Sequence, residues 1–229
     1  MPGPLTVLIE KKDVVPDITT SGLSHVAVRI PNHPMARRLL SQLDYPLAAP
    51  SANPFGYISP THAQHVSDQL GDKISYILDG GACSVGLEST IVGMTEGVPM
   101  VYRKGGLSID VIRQYIPDIV VRDHSTSNPA APGMLKSHYA PSIPLHIVEE
   151  YTVGANKTGF ITFGEEVELG DGSRHLELSP TRDYNEAARS LFSFLRLLDQ
   201  SDLNAIEVKL LPELDLGIAI NDRLRRAAL

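Results

Sequence analysis

The sequence predicts an α/β protein built from two modules, and three observations support this. Short β-rich runs alternate with short amphipathic segments along residues 1–122. A stretch rich in Ser, Pro and Ala, with no period of 2 or 3.6, follows at 123–143. The alternation then resumes at 144–229. A chain of 229 residues with 42% hydrophobic and 21% charged residues has enough apolar material for such cores.

Strands of the first module are predicted where Val, Ile, Tyr and Thr cluster between Gly, Pro or Asp. The runs are LTVLIE (5–10), VAVRI (26–30), SYILD (75–79), STIVGM (89–94) and PMVYR (99–103). A further short strand, PLAA (46–49), is predicted to end at Pro50.

Helices of the first module are predicted from their amphipathic period and their end signals. The segment at 33–43 is one, and 108–117 is another, with Ser108 as N-cap and Pro117 as terminator. A third is expected at 59–71, with Ser59 as N-cap and Gly71 as its C-terminal stop.

The second module, after the linker at 123–143, reads as β-β-α-β-α. Its strands are PLHIVEE (144–150), KTGFITFG (157–164) and AIEVKLL (205–211). A long helix at 181–200 and a terminal helix complete it. About 86 residues are enough for a small α/β domain.

Composition excludes several classes of protein. The net charge is −7 and no Lys/Arg stripe with interleaved aromatics occurs, so tight nucleic-acid binding is disfavoured. No apolar run approaches a bilayer span, and the N-terminus lacks the marks of a secretory signal. A single cysteine, Cys83, suits a reducing cytoplasm. No spacing of the eight His residues predicts a metal site, and no P-loop or nucleophile elbow is present.

The loop PLAAPSANPFGYISPT (46–61) is the first candidate for a binding site. It places Ser51, Asn53 and Ser59 close together past a predicted strand end, where open α/β sheets bind ligands. The alternative is a turn whose side chains satisfy its own backbone. A helix beginning at Ser59 would offer its N-terminus to a phosphate.

Three other segments carry candidate ligand contacts. Arg29, in VAVRI before Pro31, either is an exposed edge charge or forks onto a carboxylate. The Gly-rich turn DGGACSVG leads into Ser89, where ordinary strand entry is the alternative. Arg103 precedes two glycines, in a geometry suited to a phosphate contact or to a solvated hairpin.

Six segments, taken together and in order, resemble the threonylcarbamoyl-AMP synthases. They are PGPLTVLI, VAVRIPNHP, PLAAPSANPFGYISPT, YILDGGACSVGLESTIV, VYRKGG and PGMLKSHYAP, which span nearly all of residues 2–141. The resemblance implies a YrdC-like twisted mixed sheet with helices at 1–122, an interdomain linker at 123–143, and a small Rossmann-like α/β domain at 144–229. The last motif is specific to family members that have both domains.

The family's activity would join L-threonine, bicarbonate and ATP into threonylcarbamoyl-AMP and pyrophosphate, with Mg²⁺ accompanying ATP. A separate complex would transfer the threonylcarbamoyl group to a tRNA adenosine. No catalytic nucleophile and no protein-bound metal are implied. Motif by motif, Arg29 and Ser89 would contact threonine. The residues matching ATP contacts are His25, where the family usually has Thr, and Ala49, Ser51, Asn53, Ser59, Arg103 and Tyr139.

The chain begins at a motif that lies well inside the catalytic domain of the family. A Lys-x-Arg segment that grips ATP precedes this motif in full members, so the first domain is expected to be N-terminally incomplete and the chain alone impaired. The alternatives are a non-catalytic remnant that binds a nucleotide or RNA, and a carbamoyl-transfer relative. The second domain and PGMLKSHYAP count against the latter.

Overall fold

The computed structural model describes residues 1–122 and 138–228. Its strands are β1 Leu5–Glu10, β2 His25–Val28, β3 Thr90–Thr95, β4 Val98–Arg103, β5 Val120–Val121, β6 Leu145–Ile147, β7 Thr158–Thr162, β8 Arg174–Glu177 and β9 Ala205–Val208. Its helices are α1 Asp17–Thr20, α2 Pro34–Leu40, α3 Ala63–Leu70, α4 Ile109–Arg113, α5 Tyr184–Asp199 and α6 Gly217–Ala227.

The described residues form two compact units. The first contains residues 1–50 and 88–122, and the second contains 51–87 and 138–228. Segment 51–87 groups with the C-terminal residues because Ile58 and Leu87 belong to the same buried apolar cluster as Phe192 and Leu195 of α5. The linear division at 122 and 144 stays a prediction, and residues 123–137 of the predicted linker lie outside the described residues.

A five-stranded mixed sheet forms the first unit, in the order β2-β1-β3-β4-β5. β1 runs antiparallel to β2 and parallel to β3, and β4 runs antiparallel to β3 and parallel to β5. Helix α4 begins at Ile109, and its N-cap is Ser108, as predicted; the Ser108 hydroxyl accepts a hydrogen bond from the Val111 N–H.

The second unit holds a four-stranded parallel sheet in the order β6-β9-β7-β8. Its central strand β7 is covered on both faces, since all five of its residues are buried, which is typical of parallel sheets covered by helices. Helix α5 contributes a continuous apolar stripe to the core: Ala187, Ala188, Leu191, Phe192, Leu195 and Leu198. The mixed α/β architecture with a small parallel domain is therefore confirmed.

Four local predictions were wrong or incomplete. Residues 46–49 and 75–79 are not strands, because a β-rich run becomes a strand only when a neighbour pairs with it. Helix α3 begins at Ala63 with His62 at the N-cap, so Ser59 does not cap it. Strand β8 was missed by the sequence analysis and exists through its parallel pairing with β7.

We expect the change Asn221→Ala to destabilise the second unit strongly. The Asn221 side chain is fully buried; its Oδ1 accepts from Leu211 N at 2.9 Å and its Nδ2 donates to Leu211 O at 2.7 Å. Truncation leaves both backbone groups of buried Leu211 without these partners, at a cost of about 2–4 kcal/mol in the free energy of unfolding. Urea denaturation measures the loss.

The matched control is Asn156→Ala, which removes an exposed acceptor for the Asp171 N–H. Water replaces that partner, so the expected cost stays below about 1 kcal/mol. Equal losses in the two variants would contradict the structural role assigned to Asn221.

Candidate active site

Three of the predicted ligand-contacting residues lie at one edge of the first unit's sheet. Arg29 directly follows β2, Ser89 directly precedes β3, and Arg103 is the last residue of β4. Because β2 and β4 run antiparallel to their neighbours β1 and β3, the ends of β2 and β4 meet the beginnings of β1 and β3. The topology therefore brings these three positions together at one end of the sheet.

Ser89 and Arg103 are in direct contact. Arg103 donates from Nε and Nη2 to the Ser89 carbonyl oxygen at 3.1 and 2.9 Å, and from Nη2 to Ser89 Oγ at 3.2 Å. Ser89 is 4% and Arg103 9% exposed, so the solvated-hairpin alternative for Arg103 is wrong. A buried guanidinium fixed by a carbonyl and a hydroxyl is a pre-oriented positive charge.

Thr6 of β1 continues this hydrogen-bond network. Its Oγ1 lies 2.6 Å from Ser89 Oγ, and both residues are buried. Thr6 therefore orients the Ser89 hydroxyl from one side while Arg103 donates to it from the other. Sequence motifs did not single out Thr6, although it lies in the matching segment PGPLTVLI.

Arg29 is exposed and has no hydrogen bond or ion pair within residues 1–122 and 138–228. It follows Val28, which pairs with Val7, the neighbour of Thr6. Two strand spacings separate β2 from β3, about 10 Å between backbones. The role of Arg29 as a carboxylate contact near Ser89 stays a prediction.

Gly105 explains how the chain passes so close to Ser89. A Cβ on Gly105 would lie about 2.6 Å from the Thr90 nitrogen and would overlap the Glu88 and Ser89 backbone. Only glycine allows this approach. The next residue, Gly106, donates its N–H to the Glu88 carbonyl at 2.8 Å, which locks the turn after Arg103 against the start of β3.

His25 and Ala49, the other predicted ligand contacts in the first unit, are less constrained. The Nδ1 of His25 lies 3.0 Å from Ser24 Oγ at the start of β2. Ala49 is exposed in irregular backbone before Pro50. Their roles as ATP contacts stay predictions.

Ser51, Asn53 and Ser59 lie in the second unit, in the loop 51–60. Ser51 is exposed, whereas Ser59 is 7% exposed. Asn53 donates from Nδ2 to the carbonyl oxygens of Pro54 and Tyr57 at 2.9 and 3.0 Å, so its amide group braces the loop from within. Its buried Oδ1 has no hydrogen-bond partner within the described residues.

Tyr139 is also in the second unit, with 1% of its surface exposed. Its ring stacks on Phe192 of α5 at 5.3 Å, and the guanidinium groups of Arg223 and Arg226 lie 5.4 and 5.0 Å from the ring centroid. Its backbone has φ of 68°, and Ala140 forms a parallel bridge with Tyr57. The ring is thus held by the core of the second unit, and its contact with ATP stays a prediction.

Side chains of α5 hold the loop 51–60, although no sequence motif singled them out. Arg196 contacts the loop backbone, and Tyr57 donates from its hydroxyl to Asp199 Oδ2 at 2.6 Å. No local signal announces these contacts, because the partners are more than 130 positions apart in sequence.

Two further structural findings bear on function. Within residues 1–122 and 138–228, no group of three or more His, Cys, Asp or Glu side chains is arranged to hold a metal ion. None of the helices in the same residues is long and apolar enough to cross a lipid bilayer.

Similarity to known protein families extends along nearly the whole chain. Residues 1–105 match the Sua5/YciO/YrdC family, whose description reads "Telomere recombination". Residues 107–229 match the family described as "Threonylcarbamoyl-AMP synthase, C-terminal domain".

Curated relatives and solved structures agree with these matches. The threonylcarbamoyl-AMP synthase of Pyrococcus abyssi is 37% identical over 99% of this chain and 71% of its own length. The synthase of Bacillus subtilis is 33% identical, over 99% of this chain and 70% of its own. The crystal structure of P. abyssi Sua5 complexed with L-threonine superposes with a TM-score of 0.90 at 35% identity, over 99% of this chain and 71% of that one. The chain belongs to the threonylcarbamoyl-AMP synthase family.

Proposed function

We propose that the protein joins L-threonine, bicarbonate and ATP into threonylcarbamoyl-AMP and pyrophosphate. Its relatives carry the name of this activity, and the P. abyssi structure was obtained with L-threonine. The observation that carries the proposal is the pre-oriented pair of Ser89 and Arg103 at the sheet edge where exposed Arg29 also lies.

Threonine is proposed to bind at this edge of the sheet through contacts with Arg29 and Ser89. Arg29 supplies a guanidinium that matches the threonine carboxylate in a forked geometry. Ser89 supplies a hydroxyl that is already oriented by Thr6 and Arg103. The amino group of threonine is then left free to react.

ATP is proposed to enter as its Mg²⁺ complex, with the metal held by the nucleotide phosphates. Arg103 is the proposed phosphate contact, because a buried cation is worth more in electrostatic stabilisation than one in water. The loop 51–60 is proposed to contact the adenylate.

The chemistry then requires no protein nucleophile. The amine of threonine attacks the carbon of bicarbonate, and loss of water gives a carbamate. A carbamate oxygen attacks the α-phosphorus of ATP, and the bond to pyrophosphate breaks. Positioning of the two reactants and charge stabilisation by guanidinium groups supply the rate.

The product is a reactive mixed anhydride, so we propose that a separate tRNA-modifying complex consumes it in the cytoplasm. The protein's own charge fits this division of labour. Its net charge of −7 does not favour the phosphate backbone of a tRNA, whereas small anions need only a few placed cations.

The proposal is tested with Arg29→Met in the full-length protein. We expect the KM for L-threonine to rise at least about 10-fold, because one charge-assisted carboxylate contact is lost. The KM for ATP should change less than about twofold. Threonine- and bicarbonate-dependent release of pyrophosphate is the measurement.

The matched control is Arg37→Met, which removes another exposed arginine of the same unit, from helix α2. Its kinetics should equal those of the wild type. A wild-type protein that releases no pyrophosphate in response to threonine contradicts the proposed function, and equal effects of the two substitutions contradict the role of Arg29.

A further inference from the structure

Arg196 of α5 grips the backbone of the loop 51–60 from the C-terminal part of the chain. It donates from Nε to the Ser59 carbonyl at 3.3 Å and from Nη2 to the Ile58 carbonyl, and its Nη2 also donates to Gln69 Oε1 at 3.0 Å. The residue is 2% exposed. An arginine buried this deeply is unusual unless its donors are used, and here they are used on two consecutive loop carbonyls.

The ring of Tyr57 forms a second contact between the same helix and the same loop. The Arg196 guanidinium lies 5.1 Å from the ring centroid, within cation–π range. The Tyr57 hydroxyl donates to Asp199 Oδ2 at 2.6 Å. One turn of α5 therefore holds both the ring and the hydroxyl of a loop side chain.

Asp199 also fixes the chain that follows Tyr139. Its Oδ1 accepts from the Ser142 N–H and hydroxyl, both at 2.6 Å, and from the Ile143 N–H at 3.1 Å. The two carboxylate oxygens thus join the loop to the segment entering β6. Movement of Asp199 would release both at once.

The Tyr57 hydroxyl keeps its proton at neutral pH and can therefore donate the hydrogen bond to Asp199. Burial, followed by the hydrogen bond to the Asp199 carboxylate and its negative charge, raises the pKa of Tyr57 to about 12. The Tyr57 phenol therefore stays protonated, and remains a hydrogen-bond donor, throughout the physiological range.

The contacts reach the loop residues that are proposed to meet the nucleotide. Asn53 donates to the Tyr57 carbonyl, so the position of the Tyr57 backbone sets that of the Asn53 side chain. Ser59 is held directly through its carbonyl oxygen. Just beyond the loop, Thr61 Oγ1 lies 2.7 Å from Ser193 Oγ, one turn before Arg196 on α5.

We propose that α5 is a positioning element for nucleotide binding, in which Arg196 and Asp199 hold Asn53 and Ser59 in their ATP-contacting arrangement. The inference rests on the proposed function and assigns to α5, which lies in the same unit as the loop, a part in ATP binding. Neither arginine nor aspartate touches substrate; both act through the loop backbone and through Tyr57.

The test uses Tyr57→Phe, which deletes the bond to Asp199 and keeps the ring on Arg196. We expect the KM for ATP to rise at least about 10-fold, because one hydrogen bond to a charged acceptor is lost. The turnover number and the KM for threonine should change less than about twofold. Amide hydrogen exchange in residues 51–61 should become faster by a factor similar to the fold-increase in the KM for ATP.

The matched control is Tyr151→Phe. Tyr151 is also half-buried in the second unit, donates from its hydroxyl to the Ile161 carbonyl at 2.7 Å, and has a cation, Lys209, over its ring. It does not contact the loop, so its loss should leave both the KM for ATP and the exchange of residues 51–61 unchanged, whatever it costs in stability.

A second variant, Arg196→Lys, keeps the charge and removes the fork that reaches two carbonyl groups. We expect a rise of at least about 10-fold in the KM for ATP and faster exchange in the same residues. Unchanged exchange and unchanged KM for ATP in both Tyr57→Phe and Arg196→Lys overturn the inference. A wild type without ATP-dependent product overturns the proposed function instead, and the exchange data then still decide whether α5 holds the loop.

Discussion

Arg103→Met should lower kcat/KM for pyrophosphate formation by at least about 100-fold while the protein stays folded. The side chain is replaced by a shorter, unbranched one without charge, so the buried cation proposed to face the phosphates disappears. Its three hydrogen bonds to Ser89 disappear with it, which releases the Ser89 hydroxyl. The substitution thus removes two charge-assisted interactions, the proposed phosphate contact and the contact with Ser89. At about 1.5–3 kcal/mol each, their loss corresponds to two or more orders of magnitude in kcat/KM.

Arg103→Lys separates charge from geometry. Lysine keeps the positive charge and cannot donate in parallel to both acceptors of Ser89, so an intermediate loss of about 10-fold is expected. Arg113→Met is the control, since Arg113 is an exposed residue of α4 in the same unit. Steady-state kinetics on the folded variants measure the effect, and an Arg103→Met enzyme within threefold of the wild type would show that this charge does not serve the reaction.

Gly86→Ala is expected to have the largest effect on stability. Gly86 has φ of 80°, where a residue with a side chain costs about 1–2 kcal/mol. A Cβ there would also overlap the backbone of α5, lying about 2.7 Å from the Ala188 carbonyl carbon. Neither backbone moves cheaply, so we expect a loss of more than about 3 kcal/mol in the free energy of unfolding of the second unit.

Gly97→Ala isolates the conformational part of that cost. Gly97 has φ of 81°, in the turn between β3 and β4, and a Cβ there would meet nothing within 4 Å. Its expected cost is therefore the conformational one alone, about 1–2 kcal/mol. Urea denaturation of both variants gives the difference, and similar losses would mean that the close packing of Gly86 against α5 does not hold.

Elements with strong local signals were predicted from the sequence. Strands β1, β3 and β4 lie in runs that contain Val, Ile, Tyr or Thr, and α4 has a serine cap followed by a regular apolar period. The two-module α/β class follows from these elements and from the break at 123–143. Such features depend on neighbours a few positions away, which the sequence displays directly.

The candidate site could be predicted only in part from the sequence. The order of the motifs identified Ser89 and Arg103 as candidates. It did not reveal that the arginine is buried and bonded to the serine, because that contact depends on the strand register that pairs Arg103 with Ile91. The Nδ2 group of Asn53 donates to carbonyl oxygens of its own loop, as the alternative of a self-satisfied turn predicted. Thr6 acquired a role only through the parallel pairing of β1 with β3.

By itself, the sequence determined the fold class, the family and the residue types at the sheet edge, because each depends on short segments. Only the tertiary structure decided the roles of Ser59 and residues 75–79. Ser59 reads as a helix cap, yet its carbonyl is bound by Arg196, 137 positions along the chain. Residues 75–79 read as a strand, yet they lack a pairing neighbour in the described sheets. A hydrogen bond or a strand pair needs two partners, and chain folding chooses the distant one.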